Sequence, residues 1–457
     1  MEYPLAAAAE AAGYRACHRC RPYQSPDAGA IGPEIVCRGV RMVTAGALDE
    51  HTEADLAATL GVSARHLRRV FTEHLGVTPD RLARSHRAHF ARRLLDDSDL
   101  PVRDVAFAAG FGSVRQLQRA MVTTFGEPPS VLRERRPGGG AVPGTTGGLT
   151  VPLPHEGPLD WPWMCRWLAI RAITGVETVD FDGDPPNRAA LRRSFEVDGE
   201  AALVELTAGD HDGRLLLRVH MPRWDDLAHL VRSARRVGAT GSDAGDALEH
   251  LGADPILGEL VRGRPGLRPP GCWDPFAAVV QAVLAQQVST RAARTLVTRL
   301  VRAHGTPVAG LEELGLHLAF PGAELLAEAD LSGVGLTRRR AATVRSVALA
   351  VGSGELDLED PLLLAPNRAG GEPEVLQALQ RVPGIGPWTA SYVGIRMGLP
   401  DEFPVADLAL RDAVGLLTSG PRPSTRELAA LSEAWRPHRS FAAVHLWTWL
   451  REFRSRG

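Results

Sequence analysis

Leu379-Gln-Arg-Val-Pro-Gly-Ile-Gly-Pro-Trp-Thr-Ala-Ser-Tyr-Val-Gly-Ile-Arg396 is the most specific segment of this 457-residue chain. A helix is predicted to end near Arg381, and a second one to begin at Pro387, because proline tolerates the first helical position. Between them, Gly384 and Gly386 predict a tight hairpin with room for positive φ at both glycines. Such a hairpin directs main-chain N–H groups and a helix N-terminus at one point, which is typical of an anion site. The alternative is a glycine-rich turn without a ligand.

A carboxylate follows this hairpin in the otherwise apolar segment Glu402-Phe-Pro-Val-Ala-Asp-Leu-Ala-Leu-Arg411. Asp407 is isolated among Phe403, Pro404 and Val405, so the residues alone leave two interpretations. It is either the N-cap of the next helix or a group placed for chemistry.

The pattern apolar-Pro-Gly-apolar-Gly-x-x-Thr-Ala resembles the helix-hairpin-helix that clamps a DNA phosphate. The hairpin and the later aspartate together resemble the base-excision glycosylase superfamily. Residues 150–457 are similar to its AlkA type, DNA-3-methyladenine glycosylase II, also through Phe276–Ser289 and Trp435–Trp447. The resemblance implies a hydrolase that releases alkylated bases from double-stranded DNA and requires no cofactor for catalysis.

The resemblance also implies the residues of a base pocket. Asp407 would be the catalytic carboxylate, and Trp388 and Trp447 would line the pocket. Leu408 would lie beside them, where the familiar member of the family has an aromatic residue. Without the motif, a tryptophan in a helical domain is usually a core residue.

The remaining implied roles concern DNA and a cation. Gln287 would occupy the position of a DNA-intercalating residue, and the main-chain N–H groups of Gly384 and Gly386 would bind a DNA phosphate. The carbonyl groups of Gln380, Val382 and Gly384 would hold a monovalent cation.

The N-terminal half contains two similar segments, Asp55–Phe71 and Asp104–Met121. Each has a small residue, a turn glycine and a capping serine, in the order Ala57, Gly61 and Ser63 and then Ala106, Gly110 and Ser113. Basic and amide side chains that can reach bases or phosphates follow on the second helix of each, namely Arg65, His66, Arg68, Arg69, Arg115, Gln116, Gln118 and Arg119. The alternative is a plain helical hairpin with a solvated arginine face. Residues 48–135 resemble the tandem helix-turn-helix of AraC-type regulators, which implies sequence-specific DNA binding.

A Cys-x-x-Cys pair, Cys17 and Cys20, precedes this region. Such a pair is half of a structural zinc site. Followed by an AraC-type domain, it resembles the end of the zinc-binding domain of Ada-type adaptive-response proteins, in which four cysteines hold zinc. No cysteine precedes Cys17, so two explanations stay open: the domain has decayed, or the true start codon lies upstream.

The composition of the chain narrows the classes of protein to which it can belong. The hydrophobic fraction of 44% and the charged fraction of 23% are typical of globular proteins. No stretch approaches the ~20 apolar residues of a membrane span, and a net charge of −2 does not by itself indicate a nucleic-acid binder. Five cysteines, an odd and sparse set, favour a reducing cytoplasm. Together with the resemblance to DNA-binding proteins, this predicts a location in the bacterial cytoplasm, at the nucleoid. All 52 basic residues are arginine, so no side-chain amine can form a Schiff base.

The predicted fold is therefore multidomain: an all-α tandem helix-turn-helix, then an α+β domain, then an all-α helix-hairpin-helix domain. The predicted boundaries are a zinc-domain remnant at 1–36, the regulator domain at 37–135, a Gly/Pro-rich linker at 136–149, the α+β domain at 150–265 and the glycosylase domain at 266–457. The predicted function is an alkylbase DNA glycosylase fused to a regulator of the alkylation response. The alternative is a transcription regulator whose glycosylase half only binds DNA. The sequence does not indicate protein partners.

Overall fold

A computed structural model of the chain describes residues 5–14, 33–134, 148–181, 189–209, 213–241, 244–364 and 372–456. These residues form two compact units. The first draws on Met1–Pro154, Arg218–Arg232 and Glu359–Glu374, and the second on His155–Leu217, Ser233–Leu358 and Val375–Gly457. No helix in the described ranges is both long and apolar enough to cross a membrane.

The described part of residues 5–134 is helical, which the sequence predicted for residues 37–135. Its helices are α1 (Ala6–Ala11), α2 (Glu34–Thr44), α3 (Ala47–Glu50), α4 (Glu53–Thr59), α5 (Ala64–Leu75), α6 (Pro79–Asp97), α7 (Val102–Ala108), α8 (Val114–Phe125) and α9 (Pro129–Glu134).

The two predicted helix-turn-helix segments are confirmed as α4–α5 and α7–α8. Gly61 and Gly110 take positive φ, +80° and +77°, at the turns. Ser63 and Ser113 then cap α5 and α8 through bonds from the N–H groups of the third helical residue. Each second helix ends at a left-handed glycine, which an L side chain would strain. The repeat in the sequence is therefore a repeat of backbone geometry.

The next part of the chain is mixed, again as predicted. Its elements are β1 (Leu149–Pro154), α10 (Trp161–Ala169), β2 (Glu177–Asp180), β3 (Ala190–Val197), β4 (Glu200–Ala208), β5 (Arg214–His220) and α11 (Leu227–Val237). The strands form a sheet in the order β1-β5-β4-β3-β2. β3 pairs antiparallel with β2, with Glu177 opposite Arg193, and with β4, with Ala190 opposite Thr207.

The burial of β5 alternates along the strand. Leu215, Leu217 and Val219 are buried, and the residues between them are less so. Trp161, Trp163 and Trp167 of α10 are buried, and the indole N–H of Trp161 donates to Ala189 O at 2.7 Å.

The last part of the chain is mainly helical. Its elements are α12 (Ala244–Gly252), α13 (Gly258–Gly263), α14 (Pro275–Ala285), α15 (Thr290–His304), β6 (Thr306–Pro307), β7 (Leu318–Ala319), α16 (Ala323–Glu328), α17 (Arg338–Gly352), α18 (Pro361–Leu364), α19 (Glu374–Arg381), α20 (Pro387–Arg396), α21 (Leu408–Leu417), α22 (Thr425–Ser432) and α23 (Arg439–Arg456).

A hydrophobic core joins α21 to α23 in the second unit. Leu410 and Val414 of α21 pack in one cluster with Leu446 and Leu450 of α23. Trp435, just before α23, is buried in the same cluster and donates its indole N–H to Asp254 Oδ2 at 2.9 Å. This core fixes the start of α21, where Asp407 lies, against the middle of α23, which carries Trp447.

Candidate active site

Asp407 lies at the N-terminus of α21 and caps it. Its Oδ1 accepts a hydrogen bond from the main-chain N–H of Leu410 at 3.0 Å, and its own N–H donates to Pro404 O at 2.8 Å. The capping interpretation is therefore confirmed. A cap uses part of the hydrogen-bonding capacity of a carboxylate, which has about four acceptor positions, and so does not exclude a second role.

Two indole groups bind the same carboxylate. Trp388, in the first turn of α20, donates its Nε1–H to Asp407 Oδ2 at 2.9 Å. Trp447 of α23 donates its Nε1–H to Asp407 Oδ1 at 3.1 Å. Donors from α20, α21 and α23 therefore hold one half-buried carboxylate in one orientation. The structure brings together the three residues that the family resemblance implied.

Leu408 begins α21 and is 59% exposed. It is adjacent in sequence to Asp407, whose carboxylate the two indoles bind. An exposed leucine at this place leaves apolar surface beside the carboxylate rather than an aromatic ring for a base to stack on.

Tyr392 is a member of this cluster that sequence reasoning missed. Its ring stacks on Trp388 with centroids 5.6 Å apart and an interplanar angle of 2°, and it meets Trp447 edge-on at 6.2 Å. Tyr392 is four residues after Trp388 in α20, a spacing that places two side chains on one face of a helix. That spacing was the signal in the sequence that could have identified it.

Two arginines lie behind the tyrosine. Arg171 Nε donates to the Tyr392 hydroxyl at 3.4 Å, and its guanidinium lies 3.6 Å from the ring centre of Trp167. Arg396 is buried, donates to Pro270 O and lies 4.9 Å from the same ring centre. Burial alone would raise the pKa of the Tyr392 phenol, but the charges of Arg171 and Arg396 outweigh burial and hold that pKa below its usual range.

The hairpin has one left-handed glycine and not two. Gly384 has φ +92°, as predicted, but Gly386 has φ −106°, so the prediction of positive φ at both glycines is wrong. Gly386 is the N-cap of α20, and an N-cap residue has an extended backbone. Pro387 begins α20 and α19 ends at Arg381, as predicted.

Gly384 also lies very close to α17. A Cβ atom on Gly384 would lie 2.0 Å from Thr343 Oγ1, whereas one on Gly386 would meet nothing within 4 Å. Glycine is therefore required at position 384 for two reasons, the positive φ and the close approach of Thr343. The side of the hairpin at Gly386 is open.

Gln287 lies in the turn between α14 and α15, exposed and with φ +56°. A positive φ is uncommon for a residue other than glycine and indicates a backbone held by its surroundings. The preceding residue, Gln286, donates from Nε2 to Gly384 O at 3.0 Å. The turn and the hairpin are thus in direct contact.

The carbonyl groups assigned to a cation lie in and before the hairpin. Gly384 O accepts from Gln286, and Val382 O accepts from the N–H of Ile385 at 3.1 Å. Gln380 is in the last turn of α19.

The side chains predicted to read DNA are exposed on α5 and α8. Several have partners within the chain. Arg68 pairs with Glu53, Arg69 Nη1 lies 3.0 Å from Glu73 Oε2, and Gln116 Oε1 accepts from the N–H of Gly112 at 3.0 Å. The Arg69–Glu73 pair is exposed on both sides, and surface ion pairs of this kind contribute little. Glu53 is more buried and also accepts from the N–H of Asp80, so it holds Arg68 more firmly. Cys17 and Cys20, the predicted zinc ligands, lie outside the described residues.

Comparison with known proteins gives two family matches and several similar proteins. A helix-turn-helix domain model matches residues 56–135, and a model of the AlkA N-terminal domain matches residues 150–274. The chain is 36% identical over 452 residues to a probable bifunctional transcriptional activator/DNA repair enzyme AlkA of Mycobacterium tuberculosis, covering 98% of this chain and 87% of that protein.

The C-terminal part has relatives of its own. DNA-3-methyladenine glycosylase 2 of Escherichia coli is 30% identical over 303 residues, which are 65% of this chain and 95% of that protein. A solved 3-methyladenine DNA-glycosylase from Archaeoglobus fulgidus aligns with a TM-score of 0.53 and 21% identity, over 66% of this chain and 99% of that one. At 21% identity, the similarity to the Archaeoglobus fulgidus structure supports only the fold.

Proposed function

The chain belongs to the AlkA-type family that joins a helix-turn-helix regulator to a DNA-3-methyladenine glycosylase, and from that premise we propose that Asp407 is its catalytic carboxylate. The protein is a DNA base-excision glycosylase that hydrolyses the N-glycosidic bond of alkylated bases, fused to a DNA-binding regulator module. The observation that carries the proposal for Asp407 is the pair of indole N–H bonds to its side chain.

One carboxylate is enough for this reaction. A base such as 3-methyladenine is positively charged and leaves as a neutral molecule, so no acid has to protonate it. Glycosidases with poorer leaving groups need a second carboxyl group for that step. The carboxylate of Asp407 then stabilises the oxocarbenium-like sugar and orients the attacking water.

The stacked rings supply the pocket for the base. Trp388, Trp447 and Tyr392 present electron-rich surfaces next to Asp407, and aromatic faces attract cations by about 0.5–2 kcal/mol. Because the same indoles bind the carboxylate, a base that stacks on them lies close to the charge that drives its release. Leu408 would contact the base at the edge of the pocket.

Binding of DNA is assigned to the hairpin and the turn beside it. The N–H groups of Gly384 and Gly386 would bind a phosphate, and Gln287 would fill the gap that the extruded base leaves. The open side of Gly386 supports this arrangement. A monovalent cation bound by the carbonyl groups of Gln380, Val382 and Gly384 is a further part of the proposal, whereas catalysis itself needs no cofactor.

We expect the enzyme to leave an intact abasic site. A lyase needs an amine to trap the sugar aldehyde, and the sequence contains no lysine. After excision from methylated DNA, strand cleavage should appear only when alkali is added. The control is the same gel without alkali. Borohydride trapping of DNA on a fragment of residues 266–457 with a blocked N-terminus would contradict the prediction.

The regulator module would read DNA through α5 and α8, with Arg65, His66, Arg68 and Arg69 on the first helix. The second helix would contribute Arg115, Gln116, Gln118 and Arg119. The alternative function is a regulator whose glycosylase half only binds DNA. A multiple-turnover base-release assay on methylated duplex DNA separates the two, because a binding module releases no base.

Zinc binding by Cys17 and Cys20 is expected to be weak. Two thiolates do not form a preformed tetrahedral site. The purified full chain should contain well under one equivalent of zinc after dialysis against a mild chelator, as measured by atomic emission. Stoichiometric zinc after this treatment would instead support a sensor of alkylation damage.

The domain boundaries given above, at residues 36, 135, 149 and 265, belong to this proposal. So does a location in the bacterial cytoplasm at the nucleoid, because DNA is the substrate.

A further inference from the structure

The side chain of Gln286 connects the turn between α14 and α15 to the hairpin. Gln286 follows the last residue of α14, where its backbone becomes extended (φ −56°, ψ 127°). Its Nε2 donates to Gly384 O at 3.0 Å and to Thr389 Oγ1 at 3.1 Å. Gly384 lies 98 residues away in the chain and Thr389 103 residues away, so these bonds join two distant helical segments.

The main chain of Gln286 is held from another side. Arg340, in the first turn of α17, donates its guanidinium N–H to Gln286 O. One turn later in α17, Thr343 approaches Gly384 so closely that no Cβ fits between them. α14, α17 and the hairpin therefore meet at this residue, and the amide of Gln286 is the polar bridge among them.

This bridge sets the position of the next residue. Gln287 is exposed and has a left-handed backbone, φ +56°. A residue in that conformation depends on its surroundings to stay there. Because the carbonyl and the side chain of Gln286 are both hydrogen-bonded, the backbone of Gln287 is held in a fixed position relative to Gly384.

We propose that Gln286 is a positioning residue that sets the distance between the DNA phosphate held by the hairpin and the side chain inserted into the duplex. The inference rests on the proposed roles of the hairpin and Gln287. A phosphate held at Gly384 and a side chain inserted from Gln287 act on the same piece of DNA. Base extrusion succeeds only if both fit at once, and small misplacements of positioned groups have large effects on rate.

The test compares Gln286→Met with Gln281→Met. Methionine is similar in length to glutamine but donates no hydrogen bond, and Gln281 lies on α14, five residues before Gln286. For Gln286→Met we expect single-turnover excision from methylated duplex DNA to fall roughly tenfold. DNA affinity should stay within about threefold, because the hairpin N–H groups and the arginines are retained. Gln281→Met should excise like the wild type.

A second measurement follows extrusion directly. A 2-aminopurine placed beside the lesion brightens when the neighbouring base leaves the stack, and Gln286→Met should give a smaller increase than the wild type. Placing the lesion opposite an abasic site lowers the cost of extrusion. On that substrate the deficit in excision should shrink to about threefold or less.

The outcomes separate this inference from the proposed function. An equal deficit on both substrates, or excision by Gln286→Met at the wild-type rate, would overturn it. If the wild type released no base, the proposed function would fail, and the fluorescence comparison would still test Gln286. If Gln286→Met did not fold, Arg340→Met would loosen the same residue through its main chain, and the same pattern is expected.

Discussion

Asparagine in place of Asp407 should lower single-turnover excision from methylated DNA by about 10²–10³-fold. In the proposed mechanism the substitution removes a fixed negative charge that faces the developing sugar cation, and loss of a preorganised charge at a forming ion costs about 3–4 kcal/mol. DNA affinity should change little, because the proposed contacts to phosphate are made by the hairpin N–H groups and by arginines and not by Asp407. Excision and gel-shift titration on the same preparations measure both quantities.

The geometry shows that Asp407→Asn has a second effect besides the loss of charge. Oδ1 accepts from both Leu410 and Trp447, so an asparagine that keeps this oxygen places its NH₂ group where Oδ2 was. That group then faces the Nε1–H of Trp388, at the place of a 2.9 Å bond, and two donors oppose each other. The cap of α21 is preserved, because asparagine caps helices about as well as aspartate.

Trp388→Phe is the control for this second effect. It removes the same indole bond but keeps the charge and the bonds from Leu410 and Trp447. Excision should therefore fall by about tenfold, which corresponds to about 1.5 kcal/mol, the lower end of the range for a hydrogen bond to a charged group. If Trp388→Phe were as slow as Asp407→Asn, the indole contact and not the charge would carry the effect. If Asp407→Asn excised within threefold of the wild type, Asp407 would be a helix cap only. A parallel fall in binding and excision would make it a structural residue.

Local motifs were predictable from the sequence, and long-range partners were not. The hairpin, the start of α20 and both helix-turn-helix turns depend on residues a few positions apart, where glycine, proline and serine have direct effects on the backbone. The bonds from Trp388 and Trp447 to Asp407 span 19 and 40 residues. The family resemblance placed these residues in one pocket, but spacing alone could not predict which atoms meet.

Three features of the site that were not predicted from the sequence have the same physical cause. Glycine permits positive φ but does not require it, so the sequence could not tell Gly384 from Gly386. Conversely, Gln287 takes a positive φ that its residue type does not favour, because contacts around Gln286 hold the turn. Arg171 was missed because its partner Tyr392 is 221 residues away. In each case tertiary contacts determine the local structure.

Alanine in place of Gly384 should disrupt both the fold around the hairpin and DNA binding. A positive φ of +92° costs an L residue about 1–2 kcal/mol, and overpacking a filled site costs about 1–3 kcal/mol more. The new Cβ would lie 2.0 Å from Thr343 Oγ1. We expect the melting temperature of the second unit to fall by about 5–10 °C. DNA affinity and excision should fall together by about 10–100-fold, which corresponds to the loss of one hydrogen bond to a charged phosphate.

Gly386→Ala is the matched control, two residues away in the same hairpin. Its φ of −106° is accessible to alanine, and its Cβ would meet nothing within 4 Å. The melting temperature should therefore stay within about 1 °C of the wild type or rise slightly. If a DNA phosphate lies in that open space, affinity for DNA should fall without any loss of stability. Equal melting temperatures for Gly384→Ala and the wild type would contradict the close approach of α17.

A second substitution separates the two contributions to the Gly384→Ala defect, the contact with Thr343 and the positive φ. Thr343→Ala removes Oγ1 and Cγ2, which would lie 2.0 Å and 3.1 Å from the new Cβ, but it leaves the positive φ unchanged. Measured against Thr343→Ala alone, the double variant should lose only about half as much melting temperature as Gly384→Ala loses in the wild type. The 2.0 Å contact is gone, and what is left is the backbone cost of about 1–2 kcal/mol and the milder 3.1 Å approach of the Cβ of residue 343. An undiminished loss would mean that α17 does not confine Gly384 and that the backbone conformation alone demands glycine there.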